Sequence, residues 1–337
     1  KSKVQDYANN CDPPVNIKLE EFQNILILGV KEGAEKPYRC TSGFYIRVGP
    51  NSQKLTTKQI VEFLQEEGRI KFDELLNKKA DFDTYYDPRL FEKYLQLAGI
   101  SKVMDDKNIL ENLGAVEIHK GKPTFNNTGV LFFCKNPSII HLHAIITCAL
   151  FKGTERINII DRKDFEEDII TNIDNAIKFL KQHLQLRYEY EGTPQRKEIP
   201  EIPYDVLREA IINAVAHRDY FEKGARVMFE IFDDRVVITN PGGLVKGLTK
   251  ENFGKISILR NPNITSLLHR ATYIEQMGTG IKKMNQLMLN AGLKEPEYKF
   301  DAFFTITFKR PFAKSGTISG TISGTISGTI KNKLSER

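Results

Sequence analysis

Residues 204–220 read YDVLREAIINAVAHRDY, and no other stretch restricts the possible folds as strongly. At helical spacing, Val206/Ala210/Ala214 and Leu207/Ile211/Val215 make two adjoining apolar faces. Glu209, Asn213 and His217 stand four residues apart twice and share a third stripe. A helix with two core-like faces and a polar stripe suggests one wall of a pocket. A carboxylate can activate water, and an amide oxygen can ligate Mg²⁺, a hard cation that prefers oxygen. The plainer alternative is a solvated polar face, with Asn213 and His217 satisfied by local hydrogen bonds.

Two glycine turns follow. Strand Val227–Phe232, turn Asp233-Asp234 and strand Arg235–Thr239 lead into Asn240-Pro241-Gly242-Gly243. Paired glycines after a strand permit positive φ and close approach of a ligand, although any tight turn uses them too. A helix near Pro262–His269 comes next. Gly278-Thr279-Gly280 then precedes a helix over Ile281–Asn290, where free amides can receive an anion or the glycines can simply turn the chain. Ala302–Phe308 closes the region as a strand.

Upstream, Asn24–Val30 (NILILGV) reads as a buried strand, Gly43–Val48 as a second strand, and Thr56–Glu67 as a helix capped by Thr56 or Thr57. Arg89–Leu97 and Asp106–Leu113 read as helices, the latter stopped by Gly114. Lys122–Phe133 reads as a turn and a buried segment, and His141–Phe151 as a strand. On that strand His141 and His143 share a face, as a pair of core or edge histidines rather than a metal site. Phe165–Leu186 carries the longest helical stripe, through Ile169, Ile173, Ile177, Leu180 and Leu184. The proline-bearing run 193–202 fits a domain boundary. From Ser315 to Ile330, Ser-Gly-Thr-Ile repeats four times, too short a period for a solenoid, and reads as a flexible linker.

At 337 residues the chain suits about two domains. No apolar run approaches the roughly 18 residues of a membrane span, and no secretion signal opens the chain. Cys11, Cys40, Cys134 and Cys148 lie far apart with no C-x-x-C pair, which excludes a zinc ribbon and a disulfide scaffold and fits a reducing cytoplasm. The net charge is +6, and residues 281–337, with ten Lys/Arg against four Asp/Glu, account for all of it. A basic tail of this kind permits a nucleic-acid partner without demanding one. The phosphate loop G-x-x-x-x-G-K-[ST] of motor helicases is missing: the run His119-Lys120-Gly121-Lys122-Pro123 lacks its first glycine and its final hydroxyl.

The polar helix, the glycine turn after a strand and the glycine turn opening a helix resemble, in that order, the N-box and glycine boxes of gyrase, heat-shock chaperone, histidine kinase and MutL (GHKL) type ATPases. More closely, EIPYDVLREAIINAVAHRDY, DDRVVITNPGGL, ILRNPNI and IEQMGTGIKKM resemble the ATPase-like C-terminal domain of bacterial proteins catalogued as transcriptional regulators or as ATP-dependent DNA helicase-related. ILENLGAVEIHKGKPTFNNTGVLFFCKNP is similar to the middle of those proteins, and residues 1–70 to the second half of their Schlafen-type AlbA DNA-binding domain. The resemblance implies an α+β protein: an AlbA-like remnant over 1–70, a mixed α/β segment over 71–195, a GHKL-like (Bergerat-type) α/β sandwich over 196–312 and a repeat tail over 313–337. It places Glu209 as the water-activating base and Asn213 as the Mg²⁺ ligand. Asn240 stands where the related ATPases carry an adenine-reading aspartate, with Gly242 and Gly243 at the pocket base. Gly278, Thr279 and Gly280 take the phosphate and lid positions, and His217, Arg218 and Asp219 a phosphate or structural role. The implied protein is a cytoplasmic, DNA-associated, homo-oligomeric regulator switched by ATP and Mg²⁺ rather than a motor. A Schlafen-like nuclease and a scaffold with a decayed pocket are the alternatives.

Overall fold

The computed structural model describes residues 1–33, 35–189, 197–274 and 278–311. The repeat tail 313–337 and positions 193–196 of the proline-bearing run lie outside the described residues. The fold is α+β, with a six-stranded mixed sheet as its largest element.

Residues 1–70 form helix α1 (Ser2–Asn9), hairpin β1 (Ile17–Phe22)–β2 (Ile25–Val30), hairpin β3 (Tyr45–Val48)–β4 (Asn51–Lys54) and helix α2 (Thr57–Glu66). Helix α2 opens on a capping box: Thr56 Oγ1 accepts from the Gln59 amide, and Gln59 Oε1 accepts from the Thr56 amide. NILILGV does form a strand, but every residue of β2 is exposed, not buried as its apolar run predicts. A two-stranded ribbon has no second layer, so apolar residues on both faces do not secure burial.

The middle of the chain holds α3 (Phe82–Tyr85), α4 (Pro88–Ala98), α5 (Asp106–Asn112), hairpin β5 (Val116–His119)–β6 (Lys122–Phe125), α6 (Asn127–Phe133), β7 (Ile146–Lys152), β8 (Asn158–Phe165) and α7 (Ile169–His183). Three expectations change here. The segment 122–133 splits into a strand and a helix, because Asn126 Oδ1 caps α6 by accepting from the Gly129 amide at 2.9 Å. His141 and His143 precede β7 instead of alternating along it. They are buried core histidines: His141 Nε2 lies 3.1 Å from Asn127 Oδ1, and His143 Nε2 lies 3.0 Å from the Tyr220 carbonyl. The long helix starts at Ile169, where Asp168 caps it, and Phe165 instead ends β8.

The remainder comprises hairpin β9 (Leu186–Glu189)–β10 (Lys197–Pro200), α8 (Tyr204–Ala216), β11 (Val227–Ile231), β12 (Arg235–Pro241), α9 (Pro262–Arg270), α10 (Gly280–Asn290), β13 (Glu297–Phe300) and β14 (Phe303–Lys309). The sheet order is β13-β14-β12-β11-β7-β8, and β7–β11 is its one parallel pairing among the described residues. The sheet therefore takes strands from both sides of residue 195, so a boundary there does not separate two sheets. Helix α8 packs against α7, α10 and β12, and α7 against β7. Val206, Leu207, Ala210, Ile211, Ala214 and Val215 are all buried, which satisfies both apolar faces of α8.

Residues 67–73 strap this core to the N-terminal part. Glu67 pairs with Lys246, and Lys71 Nζ donates to the Leu259 carbonyl at 3.2 Å. Asp73 Oδ2 accepts from the amides of Asn263 (2.7 Å) and Ile264 (3.2 Å), capping α9 from far away in sequence. Its Oδ1 is buried with no partner, and burial outweighs the two amide bonds to push its pKa up to about 6. Asp73→Ala orphans both amides and lowers stability by roughly 1–3 kcal/mol. The raised pKa means that the stability linked to Asp73 is full below the unfolded value of 3.8 and is lost as pH rises through about 6. Asp73→Asn keeps an acceptor but removes that pH dependence. Urea midpoints for both proteins across pH 4–7 check this, and parallel profiles would refute it.

Candidate functional site

One cavity of about 550 Å³ is bordered by Glu209, Asn213, His217, Asn240, Gly242, Gly243, Gly278 and Gly280. These residues come from α8, the end of β12 and the start of α10, so three separated sequence features converge on one hollow. Thr279 does not border it; it is the N-cap of α10 and makes no side-chain capping bond.

Glu209 and Asn213 sit one turn apart, and Asn213 Nδ2 donates to Glu209 Oε1 at 2.9 Å. That bond directs one Glu209 oxygen and leaves the side-chain Oδ1 of Asn213 without a donor among the described residues. His217 lies beyond the helix proper, as the C-cap of α8, where its amide donates to the Asn213 carbonyl at 2.9 Å. Loss of water around its ring, with the nearby Arg260 charge, lowers its pKa to about 4, so the imidazole is neutral at neutral pH.

Strand alternation puts Asn240 on the helix-covered face with Val236 and Ile238. Its Oδ1 is buried and has no hydrogen-bond donor among the described residues. Beyond it the backbone turns at Gly242, φ +98°, where a Cβ would stand 2.7 Å from Asp219 Cβ. At Gly243 a Cβ would meet the Asp301 carbonyl at 2.5 Å, and at Gly280 the Glu209 carboxylate at 2.0 Å. Close approach thus requires glycine at 242 and 243, whereas at Gly280 the obstacle is the tip of the Glu209 side chain, which has to shift.

Several cavity residues were given no role in the sequence reading: those over 245–257 lie on a stretch without periodicity, and Arg260 sits in the quoted ILRNPNI run. Arg260 is the most consequential. Its Nη1 donates to Asp219 Oδ2 at 3.1 Å and its Nη2 to the Gly243 carbonyl at 2.6 Å, pinning the glycine turn to the end of α8. Asn261 Nδ2 donates to the carbonyls of Ala216 and Arg218, at 2.9 and 2.8 Å. Arg218 is buried and donates to the Asp219, Glu222 and Ala225 carbonyls, so its role is structural. The detectable signal was the charge of Asp219, which needed a cation. Lys255, Phe253 and Phe304 also border the cavity, the rings supplying an apolar end.

Residues 224–308 match the family model described as "Putative ATP-dependent DNA helicase recG C-terminal". The C-terminal part of this chain is ATPase-like. The match begins after α8, so Glu209, Asn213 and His217 stand outside it. The chain is also similar to the crystal structure of the DIP2311 protein from Corynebacterium diphtheriae, with a TM-score of 0.60 and 19 % identity over 90 % of this chain and 60 % of that one. It therefore spans less than two thirds of that protein's length, and at this identity the likeness concerns fold alone. No curated protein matches the chain. Among the described residues no three His, Cys, Asp or Glu side chains gather as a metal site, and no helix is long and apolar enough to cross a membrane.

Two outcomes follow from this geometry. Gly280→Ala forces the Glu209 carboxylate or the start of α10 to move, and the melting temperature falls by several degrees, as expected for roughly 1–3 kcal/mol of overpacking; an unchanged melt would show that the contact is loose. The stability held by neutral His217 is present above 6.5 and lost as pH falls toward about 4. His217→Gln abolishes that share of the acid sensitivity, read from urea midpoints at pH 7 and pH 4.5.

Proposed function

We propose that the cavity binds a nucleoside triphosphate, ATP, together with Mg²⁺, and that the protein is a nucleotide-responsive, DNA-associated regulator of transcription rather than a motor. The observation that carries this reading is the convergence of Glu209, Asn213, Asn240 and two glycine turns on a hollow within the usual 300–1,000 Å³ of ligand sites. The donor set fits the ligands. The orphaned Asn240 Oδ1 needs an N–H, which a purine edge offers, and Phe253 and Phe304 provide an apolar end for a base. The Glu209 carboxylate and the Asn213 side-chain Oδ1 are hard oxygens, and a cation that takes most of its ligands from phosphates and water needs only one or two protein oxygens. Mg²⁺ would neutralise phosphate charge there. Glu209 would accept a proton from water, with Asn213 holding its carboxylate in orientation. The start of α10, at Gly280, borders the cavity, where the free first-turn amides of a helix can receive phosphate oxygens, and neutral His217 can donate one hydrogen bond without adding charge.

Two further features support the regulator reading: the excess of basic residues over 281–337 and the strap 67–73, which joins the N-terminal part to the cavity wall at 246–264. A nucleotide that holds this wall in one position would bias the N-terminal part through the strap, the part whose sequence resembles a DNA-binding domain. A cytoplasmic homo-oligomer is the setting we propose.

The test is thermal. With ATP·Mg²⁺ at a hundred times its dissociation constant, binding to the folded state adds about 2.7 kcal/mol and raises the melting temperature. Asn213→Ala and Asn240→Leu lose most of that rise, whereas Glu209→Gln keeps binding and loses any hydrolysis. No shift in the wild type at millimolar ATP would leave only a scaffold. DNA affinity unchanged by ATP would remove the switch, and ATP-independent cleavage of nucleic acid would favour a nuclease.

A further inference from the structure

Asp12 and Arg39 exchange both backbone hydrogen bonds, Asp12 N to Arg39 O at 2.8 Å and Arg39 N to Asp12 O at 2.7 Å, and form an isolated antiparallel bridge. One residue further along each chain, an antiparallel ladder brings the next pair face to face at a position without mutual hydrogen bonds, side chains on the same side. Here that pair is Cys11 and Cys40. The surrounding bonds obey this register. The Cys11 amide turns away to the Ala8 carbonyl at 3.3 Å, and Cys40 exchanges its two bonds with Gly43, on the side opposite Asp12, at 3.1 and 3.0 Å. At such a position Cα atoms stand about 4.5 Å apart, inside the roughly 4.4–6.8 Å that a disulfide spans.

Both thiols are free and half-buried, whereas Cys134 and Cys148 are buried. Cys11 Sγ donates to the Tyr7 carbonyl at 3.4 Å; Cys40 Sγ donates to the Gly43 carbonyl at 3.2 Å and lies 3.3 Å from Ser42 Oγ. These are weak bonds that a χ1 rotation exchanges for a facing sulfur. The Ser42 hydroxyl also lowers the Cys40 thiol from its usual range, so Cys40 is the first nucleophile; burial raises Cys134 and Cys148.

We propose that Cys11 and Cys40 are a redox site that closes reversibly to an intramolecular disulfide in the presence of a disulfide oxidant such as oxidised glutathione. The Cys40 thiolate attacks one glutathione sulfur, breaking the glutathione S–S bond and releasing a glutathione thiolate. The Cys11 thiolate then attacks the Cys40 sulfur and expels the second glutathione. Two electrons pass from the cysteine pair to the oxidant, and the two thiol protons end on the two glutathione thiols. The new bond staples the end of α1 to the 39–43 turn. The ring it closes contains Lys36, whose carbonyl accepts from Arg69 Nε at 3.1 Å, next to the strap that reaches the cavity wall.

The full chain is incubated with oxidised glutathione, blocked with iodoacetamide and digested without reductant. The expected product is a peptide joining Cys11 to Cys40, about 2 Da lighter than the two reduced peptides, with two of the four thiols lost from the titration. Cys11→Ser stops at a stable glutathione adduct on Cys40, and Cys40→Ser forms no cross-link. Oxidised wild type melts above the reduced form, whereas the two reduced variants melt with reduced wild type. Independent glutathione adducts on both cysteines, or only chain-to-chain disulfides, would overturn the site. Should either variant fail to fold, the wild-type peptide map alone decides.

Discussion

A helix buried on two faces leaves its polar third face nowhere to go but a cavity, and the rest of the C-terminal architecture follows from that constraint on α8. Val206 and Ile211 are both fully buried, so the helix cannot roll to bring Glu209 and Asn213 to the outer surface without exposing them. Each such side chain is worth roughly 1.5–3 kcal/mol of burial, more than the polar groups could recover from bulk water beyond what a wet cavity already offers. The Asn213–Glu209 bond then holds the stripe in one arrangement, and the opposing wall must come from elements that can approach closely. Only glycine meets that demand at positions 242 and 243, where a Cβ would lie within 3.0 Å of the Asp219 Cβ and the Asp301 carbonyl.

The opposing wall is held by hydrogen bonds as well as by the packing of Phe253 on Tyr298, Phe300 and Phe304. Arg260 and Asn261 together reach Asp219, Gly243, Ala216 and Arg218, joining the loop after β12 to the loop after α8. Because Arg260 and Asp219 are only partly exposed, their pairing is screened less than a surface ion pair and counts for more. This arrangement lets a cavity persist: apolar walls tend to collapse onto each other, whereas a guanidinium bridging a carboxylate and a carbonyl holds them at a fixed distance.

Elements with strong periodicity were legible in the sequence. Helices α2, α4, α7, α8, α9 and α10 and strands β11, β12 and β14 lie where spacing and capping residues put them, within a few residues. So, too, were the residues that border the cavity from α8 and the two glycine turns, because short spacings on one helix and glycines at turns carry their own physical reason. What sequence alone did not disclose depends on partners far away. The exposure of β2 follows from the absence of a covering layer over its hairpin, which an apolar run cannot report. The positions of His141 and His143 follow from side-chain bonds to Asn127 and to the Tyr220 carbonyl, not from strand alternation. Strand β8 reads as polar because it is the sheet edge, where charged residues such as Asp161 and Arg162 discourage further pairing. Arg260 sits in the ILRNPNI run, whose likeness to related proteins does not disclose that its partner is Asp219.

The strap at 67–73 shows how magnitudes assign a role. It touches the cavity wall at three points, but these are not equivalent. The Glu67–Lys246 pair and the Lys71 bond to Leu259 are solvent-exposed contacts, each worth at most about 1 kcal/mol. Asp73 is fully buried, binds two amides at the start of α9, and leaves its second oxygen unsatisfied. A buried carboxyl in that condition is the contact of the three whose loss, at roughly 1–3 kcal/mol, shifts an equilibrium the most. Pro262, Thr265 and Ser266 of α9 border the cavity, so any displacement of this helix alters the cavity and the Asp73 cap together. Of the strap's contacts with the wall, the joint between Asp73 and α9 therefore carries the most free energy, and the two outer contacts add little to it.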